Sequence, residues 1–543
     1  MKHYLASFEE SVRQYWNNPA LTDIEPNITK TYGQFATEIA KLHLLFEKAG
    51  IKKGDKIAIY GRNTSNWVVG YFAISTYEAV VVSILSDFKA DAVHNLVNHS
   101  EAKLLLTGDL VWPNLDINMM PDLVAAICLK DYKVVFSKDP KLAATDIESL
   151  FAAKYPNGYT AADVVYPKDN LDDLALINYT SGTTSAPKGV MLTHHCLSSN
   201  VVFAIEHIPN QPGWNVVSML PMAHMFGLAF DCLYPLTSGC HLSIFTKMPA
   251  PQALLKAYSE IKPYMILTVP LVIEKMIKKA VFPTIKKPLM RVLWYTPIVG
   301  GIIRKKVHDK LSDILGNTQN LIMGGAPLNH EVEKCLKQIK LCYTVGYGMT
   351  ECGPLISYCD WRYFKERSCG KIIDRMEVKI DSEDPYKKVG EILVRGVQVM
   401  QGYYKNEEAT RAVLTEDGWL RTGDLGIIDK DYNIFIRGRN KNMILGASGQ
   451  NIYPEEIEGK LNNLPYVTES LVVEREGKLV ALVYPNHDEL KSAGLSATPE
   501  VMNHTLHQLN RLIPAFCRVS SIEIVDKEFE KTPKRSIKRF MYQ

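Results

Sequence analysis

The stretch of the chain whose residue types best suit chemistry is residues 179–194, which reads YTSGTTSAPKGVMLTH. It holds six serine or threonine residues, two glycines and one lysine, Lys188. Small residues allow several backbone N–H groups to converge on one anion, hydroxyl groups add further donors, and the lysine adds a positive charge. The composition therefore indicates an anion-binding loop, and a solvated surface loop rich in serine and threonine is the alternative.

This loop does not have the Walker pattern G-x-x-x-x-G-K-[ST] of P-loop nucleotide-binding proteins. Ala186 and Pro187 precede Lys188, and Gly189 follows it, so the serine or threonine that should come next is missing. The sequence therefore excludes a P-loop NTPase, although the loop follows a strand-like run, as a phosphate-binding loop of an α/β protein would.

The elements that must position this loop follow an α/β pattern. Continuous apolar runs, which are typical of strands buried on both faces of a parallel sheet, occur at residues 56–60, 79–85, 103–107, 174–179 and 214–220. Amphipathic segments at residues 35–49 and 253–261 predict helices that cover such sheets. We therefore predict a large N-terminal domain of mostly parallel sheets with covering helices.

The pattern changes from Gly390 onward. GEILVRG, IIDKDYNIFIRGRN and SLVVERE predict short strands with polar turns, and residues 454–464 predict a helix with acidic residues near its start. The run RGRNKN at residues 437–442 is suited to a hinge. We therefore expect two domains, residues 1–440 and a small, mobile α+β domain of residues 441–543, with the hinge near Lys441.

Composition and charge narrow the class of protein. The 543 residues carry 62 basic and 59 acidic side chains, a net charge of +3, so the charge of the whole molecule gives no indication of nucleic-acid binding. Ten cysteines are scattered singly with no CxxC pair, which argues against a zinc or disulfide framework and favours a reducing cytoplasm. The N-terminus lacks the apolar core of a signal peptide, and no run approaches the ~18 apolar residues of a spanning helix.

Seven ordered motifs carry a resemblance to a known superfamily. After residues 179–194 come LPMAHMFG at 220–227, GGAPL at 324–328, YGMTECGP at 347–354, GEILVRG at 390–396, GWLRTGDLG at 418–426 and RGRNKNMILGASGQNIYPEEIE at 437–458. These motifs closely resemble those of adenylate-forming enzymes, which include acyl-CoA synthetases, firefly luciferase and peptide-synthetase adenylation domains. The segment before GGAPL, which contains PLMRVLWYTPIVGGIIRKKVHDKL, resembles an insertion of the long-chain fatty acid–CoA ligases.

The resemblance implies a reaction in two halves. A carboxylate attacks the α-phosphorus of ATP and expels pyrophosphate, and the thiol of coenzyme A then cleaves the acyl-adenylate and releases AMP. Because two anions must approach each other in the first half, the protein has to supply positive charge and fixed dipoles. The implied co-substrates and cofactor are ATP, coenzyme A and Mg²⁺, with a fatty acid as the acid substrate.

The resemblance also assigns roles to individual residues. Glu351 is expected to bind Mg²⁺, since a hard cation favours a carboxylate oxygen, and His224 is expected near the reacting carboxylate. Lys441 is the expected hinge residue, and Gly449 is expected to face the coenzyme A tunnel. The residues expected to contact ATP are Thr180, Ser181, Gly182, Thr183, Thr184, Lys188, Gly325, Ala326, Pro327, Tyr347, Gly348, Thr350, Asp424 and Arg439.

Within that nucleotide site, small side chains at residues 325–327 would let the backbone lie flat along adenine, and Tyr347 would stack on its other face. Asp424 would accept hydrogen bonds from both ribose hydroxyls, because a carboxylate has two acceptor oxygens. Arg439 would reach the ribose or the phosphates.

The sequence departs from the superfamily at one catalytic position. Most relatives carry a C-terminal lysine in a segment like PKTxxGKIxR, where it bridges the carboxylate and the α-phosphate. Residues 530–540 read EKTPKRSIKRF, which places Ser536 at that position. If the segment is extended, Lys534 and Lys538 share a face with residue 536 and are candidate catalytic replacements, of which we favour Lys538.

Two further functions therefore stay open beside a fatty acid–CoA ligase. One is an acyl-adenylate ligase that feeds an acyl carrier protein, and the other is a catalytically weak acyl- or nucleotide-binding homologue.

A basic segment at residues 276–310 also predicts peripheral contact with an anionic membrane, with a solvated basic face over a buried apolar stripe as the alternative. We expect a cytoplasmic protein, peripheral at the inner face of the membrane if that contact forms.

Overall fold

The computed structural model describes residues 1–180, 187–247, 249–285, 287–445, 450–531 and 537–543. Over these residues the chain is an α/β protein with a large N-terminal domain of two mainly parallel sheets and a smaller C-terminal domain. The predicted fold class is therefore confirmed. The ten cysteines are free thiols and most are buried, as expected for small core residues.

The first large sheet carries the predicted anion-binding loop. Its inner neighbours pair in parallel, whereas its two ends add antiparallel strands. Every strand predicted for it is present, with ends within one residue of the prediction. In spatial order, its described strands are Gly402–Tyr403, Lys188–Thr193, Leu174–Thr180, Val80–Ile84, Lys56–Tyr60, Leu104–Thr107, Ala125–Cys128 and Val134–Ser137.

The second large sheet is parallel throughout except for its last strand. The predicted strand at residues 214–220 belongs to it and is shorter than predicted, at Asn215–Ser218. In spatial order, its described strands are Tyr343–Val345, Asn320–Met323, Met265–Thr268, Asn215–Ser218, His241–Ile244, Pro19–Asp23 and Ile28–Thr31.

Helices cover both sheets. The helix predicted at residues 35–49 runs from Tyr32 to Lys48 and begins at a capping box, in which Thr31 and Gln34 each accept a hydrogen bond from the other's backbone N–H. The other described helices of this domain are Tyr4–Gln14, Ser65–Thr76, Ala90–Ser100, Pro140–Ala143, Ile147–Lys154, His194–His207, Tyr234–Leu236, Pro251–Ile261, Pro270–Ala280, Phe282–Ile285, Pro288–Trp294, Ile298–Ile314, His330–Gln338 and Glu407–Val413, and a π-helix spans Gly227–Leu233.

Two small antiparallel sheets complete the N-terminal part. One contains Tyr347–Gly348, Leu355–Tyr358 and Lys371–Ile372. The other contains Met376–Asp381, Gly390–Gly396, Leu420–Ile428 and Ile434–Arg439, which agrees with the change of pattern predicted from Gly390.

The C-terminal residues have an apolar core of their own. Strands Val467–Arg475, Lys478–Pro485 and Val519–Ile524 form its main sheet, and Ile444–Leu445 pairs with Asn451–Ile452. Helices Pro454–Leu461, His487–Ser492 and Pro499–Leu512 pack with them, and the buried cluster includes Leu461, Val472 and Leu509. None of the described helices combines the length and the apolar character needed to span a membrane.

Candidate active site

A cleft of about 2670 Å³ collects most of the predicted site residues. In the second large sheet, the residue directly after each of five parallel strands lines it: Met219, Phe245, Val269, Gly324 and Gly346. Leu85 and Thr180, at the ends of two strands of the first sheet, line it as well. Ligands of open α/β sheets bind outside the carboxyl ends of the strands, and this cleft occupies that place for both sheets.

The predicted anion-binding loop joins two antiparallel strands. Thr180 ends Leu174–Thr180, Lys188 begins Lys188–Thr193, and these two residues pair directly. Both line the cleft, and the Thr180 hydroxyl donates to the Lys188 carbonyl at 3.4 Å. The loop is therefore a strand-to-strand turn, unlike the strand-to-helix turn of a P-loop. Ser181, Gly182, Thr183 and Thr184 lie outside the described residues.

Glu351, the predicted metal ligand, lies in the cleft beside Lys188 and Tyr403. It belongs to the short 3₁₀ turn Thr350–Cys352, and its Oε1 accepts a hydrogen bond from the Tyr403 hydroxyl at 2.9 Å. The Lys188 Nζ lies 4.9 Å from the centre of the Tyr403 ring, within cation–π distance. Burial, and then the nearby Glu351 carboxylate, raise the pKa of Tyr403, so its hydroxyl stays a donor.

Tyr403 is a site residue that the sequence analysis missed. It reaches Glu351 because the two-residue strand Gly402–Tyr403 pairs with Val190 and Met191, directly after the anion-binding loop. A strand this short has no periodicity to detect, and residues 190 and 403 are far apart in the sequence. The glycine and two tyrosines of QGYYKN give no sign of this contact.

The predicted nucleotide side of the cleft is built around tight backbone turns. Gly325 adopts a φ of +82°, a conformation that favours glycine, and a side chain at Gly348 would place its Cβ 2.1 Å from the Pro354 carbonyl oxygen. Gly325, Ala326 and Gly348 line the cleft, and Pro327 beside them is exposed. Thr350 is buried and also lines the cleft.

Asp424 is buried, and each of its carboxylate oxygens has a partner in the protein. The Tyr347 hydroxyl donates to Oδ2 at 2.7 Å, and the Arg439 Nε lies 3.0 Å from Oδ1. Asp424 and Arg439 face each other across paired strands, so the backbone register fixes their contact. A ribose that binds Asp424 therefore has to share or replace these two donors, which the sequence did not predict.

Lys441, the predicted hinge residue, follows Arg439 in the turn Asn440–Asn442 and lines the cleft. Desolvation in the cleft, followed by the Arg439 guanidinium and opposed by the Asp424 carboxylate, lowers the pKa of the Lys441 ammonium. Its side chain therefore belongs to the same charged group of residues as the nucleotide site. Gly449, the predicted tunnel residue, lies outside the described residues.

His224 lines the cleft near Phe226, whose backbone N–H donates to the His224 Nδ1 at 3.4 Å. It lines the cleft just before the π-helix Gly227–Leu233, and Gly227 packs so closely there that a Cβ would lie 2.5 Å from the Pro221 carbonyl oxygen. Local π-helical turns often occur at functional sites. The apolar residues that line the cleft, here called the apolar arm, include Met219, Phe226, Phe230, Phe245, Leu254, Leu267, Val272, Met276 and Phe282.

Lys538, the favoured replacement for the missing lysine, lies outside the residues that line the cleft in the described part of the chain. Its Nζ is 3.7 Å from Glu530, whose carbonyl also accepts from the Lys538 backbone N–H. The next residue, Arg539, binds both oxygens of the buried Glu458 carboxylate at 2.7 Å and so anchors this segment to the C-terminal domain. Lys534 and Ser536 lie outside the described residues.

Comparison with known proteins agrees with this geometry. Residues 8–404 match the model of the AMP-binding enzyme family, and residues 441–542 match that of the AMP-binding enzyme C-terminal domain. The chain belongs to the AMP-binding enzyme family. ATP, Mg²⁺ and coenzyme A are the co-substrates and cofactor consistent with an adenylate-forming CoA ligase of this family.

Relatives of this AMP-binding enzyme are named for different acids. The chain is 26% identical to the long-chain-fatty-acid–CoA ligase ACSBG2 of Rattus norvegicus, over 95% of this chain and 81% of that one. It is 27% identical to the 4-coumarate–CoA ligase CCL1 of Humulus lupulus, over 98% and 91%. It is 26% identical to the long-chain-fatty-acid–[acyl-carrier-protein] ligase AEE15 of Arabidopsis thaliana, over 98% and 84%.

Among solved structures, the anthranilate–CoA ligase AuaEII in complex with anthranoyl-AMP matches the fold with a TM-score of 0.80. The two sequences are 18% identical, over 99% of this chain and 96% of that one. This likeness extends over both domains and concerns the fold alone. It does not identify the acid that this AMP-binding enzyme uses.

Proposed function

We propose that this AMP-binding enzyme activates a long-chain fatty acid with ATP and transfers the acyl group to coenzyme A. The observation that carries the proposal is the apolar arm of the cleft, which includes Phe226 and Phe230 together with Val272 and Met276 of the helix Pro270–Ala280. Its side chains come from several elements of the second large sheet and its helices. Such a lining can bury a long alkyl chain, in which each buried CH₂ group contributes about 0.8 kcal/mol.

In the first half-reaction, a carboxylate oxygen of the acid forms a bond to the α-phosphorus, and the bond to pyrophosphate breaks. Lys188 and Thr180 supply a charge and a donor at the phosphate end, and Thr350 lies in the same cleft. His224 lines the same cleft, which supports its proposed role beside the carboxylate of the acid. The protein's main task is to hold two anions together, which positive charge and fixed donors achieve.

The residues of the cleft fit a magnesium ion. Glu351 offers a carboxylate oxygen in the cleft that Thr180 and Lys188 of the predicted anion-binding loop also line. Mg²⁺ is commonly held by one or two carboxylates together with substrate phosphates. Glu351 would hold the ion, with the Tyr403 hydrogen bond fixing the orientation of the carboxylate. When bound, the ion neutralises phosphate charge.

In the second half-reaction, the sulfur of coenzyme A forms a bond to the acyl carbon, the bond to AMP breaks, and the thiol loses its proton. The cleft continues onto the C-terminal domain, where Asn462, Asn486 and Glu489 line it. Lys538 lies away from the cleft in this arrangement, so a role for it in the first half-reaction requires the C-terminal domain to rotate, with the turn at Lys441 as the proposed hinge.

A single assay tests this function against the alternatives. AMP release is measured from ATP with palmitate, 4-coumarate or no acid, and with coenzyme A, acyl carrier protein or neither. We expect AMP release that requires palmitate and coenzyme A. Release that requires the carrier protein would favour an acyl-adenylate ligase that uses this acceptor, as the relative AEE15 is named for. No release with any acid would favour the catalytically weak homologue that Ser536 suggests.

A variant tests the acid itself. Val272→Phe would narrow the apolar arm, whereas Val307→Phe adds the same bulk in the same apolar cluster at a residue outside the described lining of the cleft. We expect Val272→Phe to lower kcat/KM for palmitate by about tenfold or more while octanoate is little affected, because lost contacts of a few methylenes cost about 1–3 kcal/mol. Equal effects of the two variants on both acids would contradict the proposed acyl site.

A further inference from the structure

The helices Pro288–Trp294 and Ile298–Ile314 form a hairpin, here called the basic hairpin, that presents apolar side chains to solvent. Ile298 is 79% exposed and Leu289 is 72% exposed, which are unusual values for large aliphatic residues. The exposed apolar residues of the hairpin are Leu289, Val292, Tyr295, Ile298, Val299 and Ile302. These residues, here called the apolar patch, lie within one short stretch of sequence, on the two helices and at the turn between them.

The hairpin is firmly attached to the domain beneath it. Trp294 is 2% exposed, and its Nε1 donates to the side chain of Gln338 at 2.7 Å. The Arg304 guanidinium donates to the Trp294 carbonyl, and a Cβ on Gly300 would lie 2.5 Å from that carbonyl oxygen. Trp294 therefore anchors the hairpin to the domain. The outward residues are held in place by this anchor.

Basic residues precede and follow the apolar patch along the chain, and Arg291 lies within it. Residues 276–310 contain nine basic residues and one acidic residue, Asp309. The basic residues of this stretch that the structure shows exposed are Lys279, Lys287, Arg291, Lys305, Lys306 and Lys310. Lys286, which belongs to the same basic group in the sequence, lies outside the described residues. The rest of the chain has more acidic than basic residues, so the charge is concentrated here.

We propose that the basic hairpin docks this protein onto an anionic lipid bilayer. Basic side chains attract anionic headgroups, and an aliphatic patch with one tyrosine can enter the boundary between headgroups and acyl chains. A protein partner would need an acidic surface and an apolar surface at the same place, whereas an anionic bilayer provides both.

The hairpin follows a helix that lines the cleft, so docking would bring the cleft close to the membrane. Phe282 and Pro283 line the cleft, and their helix, Phe282–Ile285, leads directly into the hairpin. An acid that dissolves mainly in membranes would then reach the apolar arm from the docked side. This last step rests on the proposed function, whereas the docking itself does not.

Vesicle flotation without acid, ATP or coenzyme A tests the docking. The full chain is mixed with phosphatidylcholine vesicles with or without about 30% phosphatidylglycerol, at about 50 mM and about 500 mM salt. We expect binding only to the anionic vesicles and loss of that binding at high salt. Lys287→Glu, Lys305→Glu and Lys306→Glu together should weaken the partition coefficient by at least about 100-fold.

Two more triple variants separate docking from general charge effects. Leu289→Ser, Ile298→Ser and Ile302→Ser should weaken binding by at least about tenfold at about 50 mM salt, since they remove the apolar contribution. Lys133→Glu, Lys141→Glu and Lys154→Glu reverse the same number of exposed lysines elsewhere and should leave binding near the wild-type value.

The proposal fails if wild-type protein does not float with anionic vesicles at low salt, or if all three triple variants bind equally. A hairpin variant that changes self-association on gel filtration while its vesicle binding is unchanged would also refute docking, because the patch would then be a contact between copies of the chain. Since no substrate is present, these outcomes are independent of whether the enzyme uses palmitate.

Discussion

The hydrogen bond from Tyr403 to Glu351 should be necessary for magnesium-dependent adenylation. Tyr403→Phe removes the hydroxyl that donates to Oε1 at 2.9 Å and keeps the ring that faces Lys188 at 4.9 Å. A hydrogen bond to a charged group contributes about 1.5–3 kcal/mol, and about 1.4 kcal/mol corresponds to a factor of ten. We therefore expect kcat/KM for adenylation to fall by about 10- to 100-fold.

The measurement is acid-dependent exchange of pyrophosphate into ATP as a function of magnesium concentration. Tyr403→Phe should move the magnesium midpoint to a higher concentration, because the carboxylate is no longer held in one orientation. Thioester formation from supplied acyl-adenylate should change little, since that step needs no metal on the β- and γ-phosphates.

Tyr404→Phe is the matched control. The Tyr404 hydroxyl also donates to a carboxylate, that of Glu101, at 2.7 Å, but this pair lies at the surface. An unchanged magnesium midpoint in Tyr403→Phe, or the same shift in both variants, would refute the role given to Tyr403. Equal losses in the two half-reactions would point to a folding defect.

Three other variants test separate parts of the structure. Glu351→Gln should lower adenylation by at least ~100-fold because it removes a charged ligand, and an exchange rate within about threefold of wild type would contradict the metal assignment. Lys538→Ala should abolish pyrophosphate exchange and spare thioester formation from acyl-adenylate. The same result from Lys534→Ala would assign the role of the missing catalytic lysine to Lys534. If neither variant has an effect, neither lysine replaces it. Burial raises the pKa of Asp231 to about 8, so the folded state holds a proton that the unfolded state releases, and stability should fall as pH rises from about 4 to about 8. Urea unfolding at pH about 5.5 and about 8 should show a smaller fall for Asp231→Asn than for wild type, and parallel behaviour would contradict the shift.

The sequence predicted those parts of the fold that leave a local pattern. Strands such as Lys56–Tyr60 are continuous apolar runs because both of their faces are buried, and the helix at residues 454–464 starts where expected and ends at Leu461, a few residues early. The composition of residues 179–194 predicts an anion-binding loop, which stays a prediction, whereas the pairing of Thr180 with Lys188 shows that the loop connects two antiparallel strands. That pairing is a matter of register, which composition does not encode.

The contacts that complete the site depend on pairings between distant parts of the chain. Asp424 was predicted as an acceptor, but the register that brings Arg439 opposite it, and the fold that brings Tyr347 beside it, decide its partners. The apolar runs of the basic hairpin were visible in the sequence, yet which side faces outward depends on the burial of Trp294. Tertiary packing determines these contacts and exposures, which local sequence propensity does not encode.

The contact between Asp424 and Arg439 has a consequence for how ligands and domain orientation influence each other. Arg439 ends the last strand before the turn that leads to the C-terminal domain, so the carboxylate holds the final residue ahead of the linker. A ligand whose hydroxyl groups compete for Asp424 weakens that hold. If the strength of the Asp424–Arg439 contact differs between two orientations of the C-terminal domain, the affinity of such a ligand differs between them by the same free energy, because linkage is reciprocal. Nucleotide affinity measured in a variant with its domains locked in one orientation would then report that coupling directly.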